Sequence, residues 1–116
     1  MNKDFEDNNM SQIVERAKII MSENMYKGIN VEEIASKLGI SYSRFRKVFK
    51  DYTGYAPAQY FQELKLRKSK ELLAETNRSL KEIAYELNFN SYEYFIFFFK
   101  KRVGITPLEY RNLGKV

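Results

Sequence analysis

The stretch IASKLGISYSRFRKVFKDYTGYAPAQY, residues 34–60, returns later in the chain as IAYELNFNSYEYFIFFFKKRVGITPLEY, residues 83–110. Ile34, Ala35 and Leu38 recur 49 residues on as Ile83, Ala84 and Leu87. Phe45, Phe49, Lys50, Gly54, Pro57 and Tyr60 recur 50 residues on as Phe95, Phe99, Lys100, Gly104, Pro107 and Tyr110. The offset changes inside the turn, where Ile40-Ser41 stands against Phe89-Asn90-Ser91. Identity at this many positions in so short a chain marks an internal repeat. Each copy reads as a short helix, a tight turn, a second helix, then a glycine and a restart at X-Pro. In the second helix of the first copy, helical spacing gathers Phe45, Val48, Phe49 and Tyr52 on one face. It leaves Ser43, Arg46, Lys47 and Lys50 on the other.

Working outward, the helical pattern continues in both directions. Ile13, Ala17, Ile20 and Met25 recur at helical spacing from about Ser11, after a cap signal at Asn9…Gln12. Asn30-Val-Glu-Glu33 opens a helix that stops at Gly39, and Ser41 caps the next, which Gly54 ends. Pro57 suits the first turn of a long helix to about Leu73, with Phe61, Leu64, Leu66, Leu72 and Leu73 as its apolar side. Ser79-Leu-Lys-Glu82 is a capping box before a helix ending at Leu87, and another helix follows from about Ser91 to Arg102. Thr106-Pro107-Leu108-Glu109 starts a last one. No Asn-Gly or Asp-Gly hairpin signal appears. The expected architecture is all-α, about seven helices in two helix-turn-helix subdomains joined by a long connecting helix. The boundaries are a polar linker or tail at 1–10, a first subdomain at 11–56, the connecting helix at 57–73 and a second subdomain at 74–113.

Composition closes most other doors. With 116 residues, 44% apolar and 30% charged, the chain is one ordinary globular domain or two very small ones. It holds no cysteine and no histidine, so disulfides, thiolate or imidazole metal sites and every histidine-dependent catalytic arrangement are excluded. No nucleophile paired with a base, Gly-rich phosphate loop or paired-carboxylate arrangement is present, so no enzyme, cofactor or metal is expected. No apolar run approaches a membrane span and the polar start MNKDFEDNNM is unlike a secretory signal, so a cytoplasmic protein without membrane partners is expected. The net charge is +5, and residues 41–70 concentrate it with eight positive and two negative side chains, a net of +6. A basic middle of this kind suits a polyanionic partner, nucleic acid first.

Two helices joined by a tight turn, with a polar and basic outer face on the second, is the geometry that places a recognition helix in the DNA major groove. Here the sequence resembles a known family. Ile34-Ala-Ser-Lys-Leu-Gly-Ile-Ser41 with Phe49-Lys50, Gly54, Pro57 and Tyr60 is similar to the first motif of AraC/XylS-type bacterial transcription regulators. Glu93-Tyr-Phe95, Phe99-Lys-Lys-Arg102 and Gly104-Ile-Thr-Pro-Leu-Glu-Tyr-Arg111 are similar to the signature that ends that family's DNA-binding domain. The resemblance covers about residues 11–112. It implies two recognition helices entering successive major-groove segments on one face of the duplex. The connecting helix, ~25 Å long at about 1.5 Å per residue, is a plausible spacer between grooves ~34 Å apart.

The resemblance implies that the first helix contacts bases through Ser43, Arg46 and Lys47, and Arg or Lys suits guanine O6 and N7. Arg44 and Lys50 fall to phosphates, as do the helix starts near Ser41 and Ser91. The second base-contacting set is Glu93, Ile96 and Phe97, with Lys100 and Lys101 on the backbone, joined by Arg102 if the helix reads little sequence and mainly grips backbone. This set departs from the family, which typically has a small polar residue and an arginine where Ile96 and Phe97 stand. Three readings of that pair are open. The side chains contact thymine methyls, the helix reads little sequence and grips backbone, or the helix is rotated and Phe97 is buried. Glu93 either accepts from a cytosine amino group or favours the helix N-terminus. Phe98 is assigned to the core by its match to Val48. Tyr42 and Tyr92, at matching places, either donate to phosphates or pack at the turn. Of Lys65, Arg67, Lys68 and Lys70, at most two are expected at phosphates, and a buried Ser69 needs a local hydrogen bond.

The leading expectation is a sequence-specific double-stranded DNA-binding transcription regulator. The resemblance makes it an activator, with RNA polymerase as a further partner. The competing one is a protein-interaction module whose Ile96/Phe97 patch docks a partner, with weak or non-specific DNA binding in the second half. Family members often carry an effector-binding or dimerisation domain ahead of this one, so the chain is either part of a longer regulator, with dimers possible, or a small stand-alone protein. Two tandem motifs make a monomer the default for this chain.

Overall fold

A computed structural model describes residues 3–114, with side chains from residue 9 onward. The described residues form seven α-helices, one 3-10 turn and no strand: α1 Lys3–Glu23, the 3-10 turn Met25–Lys27, α2 Val31–Lys37, α3 Tyr42–Thr53, α4 Pro57–Glu75, α5 Leu80–Glu86, α6 Tyr92–Val103 and α7 Pro107–Leu113. The backbone divides into two compact units, 1–62 and 63–116, with the division falling inside α4.

In the first unit α1 packs on α2 and α3. Its buried stripe is Ile13, Val14, Ala17 and Met21, and Ile20 is only half-buried. α1 begins at Lys3, well ahead of the expected Ser11, so the Asn9 cap signal lies unused inside a helix. No Gly or Pro interrupts residues 3–23, so nothing local stops the helix at Asn9. Of the expected tail at 1–10, residues 1 and 2 lie outside the described residues and the rest is helical backbone. At the other end the Asn24 side-chain amide donates to the Ile20 carbonyl at 2.7 Å, and Gly28 takes φ 70°. Met25, expected to continue the helix, is buried from the 3-10 turn instead. Asn30 and Glu33 close a reciprocal capping box at the start of α2.

The repeat survives in three dimensions. In the first copy Gly39 N–H donates to the Ser36 carbonyl at 3.0 Å and Ile40 N–H to the Ala35 carbonyl at 3.2 Å. In the second, Asn88 N–H donates to the Tyr85 carbonyl at 3.1 Å and Phe89 N–H to the Ala84 carbonyl at 3.0 Å. Both are Schellman turns, whose left-handed residue is Gly39 at φ 74° in one and Asn88 at φ 58° in the other. Asparagine tolerates this conformation better than most side chains. The extra residue of the second copy, Asn90, falls after the turn and before the cap serine, so the slip in register leaves the turn intact.

The rings match as closely. Phe45 and Phe49 meet edge to face at 5.7 Å, and Phe95 and Phe99 at 5.9 Å. Phe49 meets Tyr60 at 5.3 Å, and Phe99 meets Tyr110 at 5.6 Å. Pro57 and Pro107 are both buried. The second unit also holds two buried polar side chains on α4. Ser69 is fully buried and its hydroxyl donates to the Leu66 carbonyl at 2.6 Å, the local bond its position requires. Lys65, 7% exposed, donates from Nζ to the Asn88 carbonyl at 3.3 Å and lies 5.9 Å from the Phe89 ring centroid. Burial pulls its pKa below the ordinary lysine value. At the far end of α4, Arg111 donates from Nε to the Leu73 carbonyl at 3.0 Å, satisfying a helix-end acceptor.

Candidate nucleic-acid interface

α3 is built to show one face. Ser41 Oγ accepts from Arg44 N–H at 3.2 Å and fixes the start, and Gly54 in the left-handed region ends the helix with a 2.8 Å bond to the Lys50 carbonyl. Between these caps Phe45, Val48 and Phe49 are buried, which forces the residues between them outward. Ser43, Arg44, Arg46, Lys47 and Lys50 are all exposed, and Tyr42 is half-buried. Tyr42, Ser43, Arg46, Lys47, Lys50 and Asp51 line one open depression. Lys47 lies 3.7 Å from Asp51, one turn on, in an exposed pair of small strength. Tyr52, expected on the apolar face, is exposed near the end of the helix.

α6 has the same frame with different contents. Ser91 Oγ accepts from Tyr94 N–H at 2.9 Å, and Gly104 N–H donates to the Lys100 carbonyl at 2.8 Å. Phe95 and Phe99 are buried. Phe97 is 62% exposed, which rules out the rotated helix, and Ile96 beside it is half-buried. Glu93, Lys100 and Lys101 are exposed. The Lys101 ammonium lies 5.8 Å from the Phe97 ring centroid. Phe98, expected in the core, is only half-buried, with Tyr94 stacked on it at 5.9 Å and Phe89 at 6.2 Å. Arg102, exposed near the end of the helix, pairs with Glu63 at 2.5 Å.

The connecting-helix cations divide by burial. Lys65 is inside, Lys68 pairs with Glu71 at 3.2 Å, and Arg67 is exposed. The sequence reading assigns no role to Lys81, whose Nζ lies 5.5 Å from the ring centroid of Tyr92 at the start of α6. Aligning the copies shows the position only as a difference in charge, Glu32 in the first copy against Lys81 in the second. Among the described residues no group of acidic side chains is placed to hold a metal ion, and no helix is long and apolar enough to cross a membrane.

A helix-turn-helix domain family matches residues 34–113. The HTH-type transcriptional regulator ArgR of Pseudomonas aeruginosa is 30% identical over 97 residues, which is 84% of this chain and 30% of that protein. A solved AraC-type transcriptional regulator from Chromobacterium violaceum superposes with a TM-score of 0.85 at 27% identity, over 93% of this chain and 96% of that one. The DNA-binding domain of the global transcriptional factor AdpA, solved in complex with a target DNA, shares the fold with a TM-score of 0.81 at 24% identity, over 86% of this chain and 90% of that one. Fold and interface define a double helix-turn-helix domain. The chain belongs to the AraC-type family of DNA-binding transcription regulators. It spans less than two thirds of the length of the first curated relatives it matches.

Proposed function

We propose that this chain binds double-stranded DNA sequence-specifically, with α3 and α6 each inserted in a major-groove segment. The observation that carries the reading is the outer face of α3, where Ser43, Arg46 and Lys47 stand exposed over a fully buried Phe45/Phe49 seat. In this reading those three contact bases, and Arg44, Lys50 and the helix start at Ser41 hold phosphates. On α6, Glu93, Ile96 and Phe97 face bases, with Ser91, Lys100 and Lys101 at the backbone and Lys81 added to them. Arg102, paired with Glu63, is left out of that set in this reading. Of the groups assigned to bases, Lys47 pairs with Asp51 at 3.7 Å in an exposed contact of small strength, and the capped, short-turned frame holds both helices rigidly enough to read an edge. RNA polymerase as partner and activation as the sign of regulation complete the proposal.

The test is selection of bound duplexes from a random pool at near-physiological salt. Two short motifs about one helical turn apart support reading by both helices. A single motif limits base reading to α3, and no enrichment overturns sequence-specific binding by this chain. Transcription with purified polymerase from a template carrying the selected site tests the sign. A second reading draws on exposed Phe97, in which α6 docks a protein. It predicts that Phe97→Ala leaves DNA affinity unchanged.

A further inference from the structure

The 50-residue offset aligns the outer faces of the two recognition helices position by position. Ser43 matches Glu93, Arg46 matches Ile96, Lys47 matches Phe97, Lys50 matches Lys100 and Asp51 matches Lys101. In the first copy the pair one turn apart is an ion pair, Lys47 with Asp51 at 3.7 Å. In the second the same two positions hold a ring with an ammonium 5.8 Å from its centroid, Phe97 with Lys101. Ile96, the preceding residue, is half-buried, and Lys100 adds a second exposed cation.

An exposed phenyl ring flanked by ammonium groups suits a particular kind of ligand surface. A purely apolar partner would have to strip water from Lys100 and Lys101 without giving them a counter-charge, which is costly. A polyanion without apolar groups would leave the ring in water. The major groove of A·T-rich DNA offers both, a C5-methyl group on each thymine and rows of phosphates along its edges. We propose that α6 reads thymine methyl groups through Phe97, with Ile96 adding apolar surface and the Lys101 ammonium, beside the ring, reaching a phosphate. This rests on the DNA-binding reading above and specifies it. The half-site under α3 contains guanine, and the half-site under α6 contains thymine and is read by apolar contact.

The experiment uses the full chain and the selected duplex, with each thymine of the second half-site replaced in turn by deoxyuridine. Base pairing is kept and only the methyl group is lost. At about 0.8 kcal/mol per buried methyl-sized group, one or two positions should weaken binding about 3- to 5-fold. Phe97→Ala should bind the thymine and uracil duplexes equally, and Phe97→Leu should keep part of the difference. Lys101→Gln should lower the salt dependence and leave the thymine-to-uracil ratio in place. Equal binding of thymine and uracil duplexes by the unaltered chain overturns the inference while DNA binding stands. So does a uracil penalty that persists in Phe97→Ala, since the methyl group is then read elsewhere or through DNA shape. Failure to enrich any duplex overturns both this inference and the reading beneath it.

Discussion

α3 and α6 descend from one motif and differ mainly on the face they show. Their seats are alike: two buried phenylalanines in edge-to-face contact, a serine cap, a left-handed glycine stop and a tyrosine from the following helix against the second ring. Their outer faces diverge, with Arg46 and Lys47 on one and Ile96 and Phe97 on the other. Core positions are held by packing density, where a change of one methylene is felt. Exposed positions carry no such constraint, so a duplicated frame is free to present two chemistries. In the proposed reading, specificity would lie in six side chains, Ser43, Arg46, Lys47, Glu93, Ile96 and Phe97, laid over a scaffold whose buried phenylalanine positions are the same in both copies.

The strongest test of that likeness is to empty each seat. Phe45→Ala and Phe95→Ala should each destabilise the protein by about 3–5 kcal/mol, in line with loss of a fully buried ring. Denaturant titration of the two variants should give penalties of similar size. A small penalty for one alone would show that the two seats are alike in geometry and not in energy.

The outer faces come next. Arg46→Ala should relax preference at one base position of the first half-site by about 1–3 kcal/mol, measured on single-base variants of the selected duplex. Unchanged preference would remove α3 from base reading. Lys100→Ala should weaken binding to all sequences alike and reduce the salt slope by about 1.

A smaller contrast lies just past each recognition helix. The second copy has a complete capping box, with Thr106 N–H donating to Glu109 Oε1 at 3.0 Å and Glu109 N–H donating to Thr106 Oγ1 at 3.1 Å. The first copy has Ala56 at the cap position, where its N–H donates to Gln59 Oε1 at 3.3 Å and no cap hydroxyl exists to answer. Thr106→Ala should cost about 1 kcal/mol, and Ala56→Thr should recover a similar amount in the first unit, both by thermal unfolding. The bond from the Thr106 backbone, then that with its hydroxyl, holds the Glu109 carboxyl below its ordinary pKa. A carboxyl with a depressed folded pKa stabilises above its unfolded pKa and loses that contribution as pH falls through the folded one. Acid unfolding of Glu109→Gln should therefore show a shallower loss of stability below the ordinary carboxylate range. An unchanged acid limb would remove this carboxyl from the pH response. This is the smallest of the expected effects.

Much of this was legible before any coordinates. The repeat, the caps at Asn30, Ser41, Ser79 and Thr106 and the stops at Gly54 and Gly104 are local signals, and the helices beside them are local consequences. The start of α1 was not legible, because a cap-like asparagine inside an unbroken helical stretch looks the same as one at its edge. Burial of Met25 from a 3-10 turn was hidden for a similar reason, since helical spacing continues through a residue that has left the helix. The exposure of Phe97 could not be decided from pattern alone, because α6 is apolar nearly all round. Only the packed positions of Phe95 and Phe99 fix which side faces out. The pair between Arg102 and Glu63 could not be read from local pattern, because the partners are 39 positions apart in the chain.

One buried group supplies a clock for the second unit. Of the lysines on α4, Lys65 alone is closed to solvent, with its amine against the turn that precedes α6. An acylating reagent should modify the exposed lysines quickly and Lys65 only when the turn lifts away. The lag of that single adduct, followed by peptide mass, converts directly into the frequency with which the turn opens. If DNA grips α6, adding the selected duplex should stretch that lag, so binding can be timed from a residue that never touches the ligand.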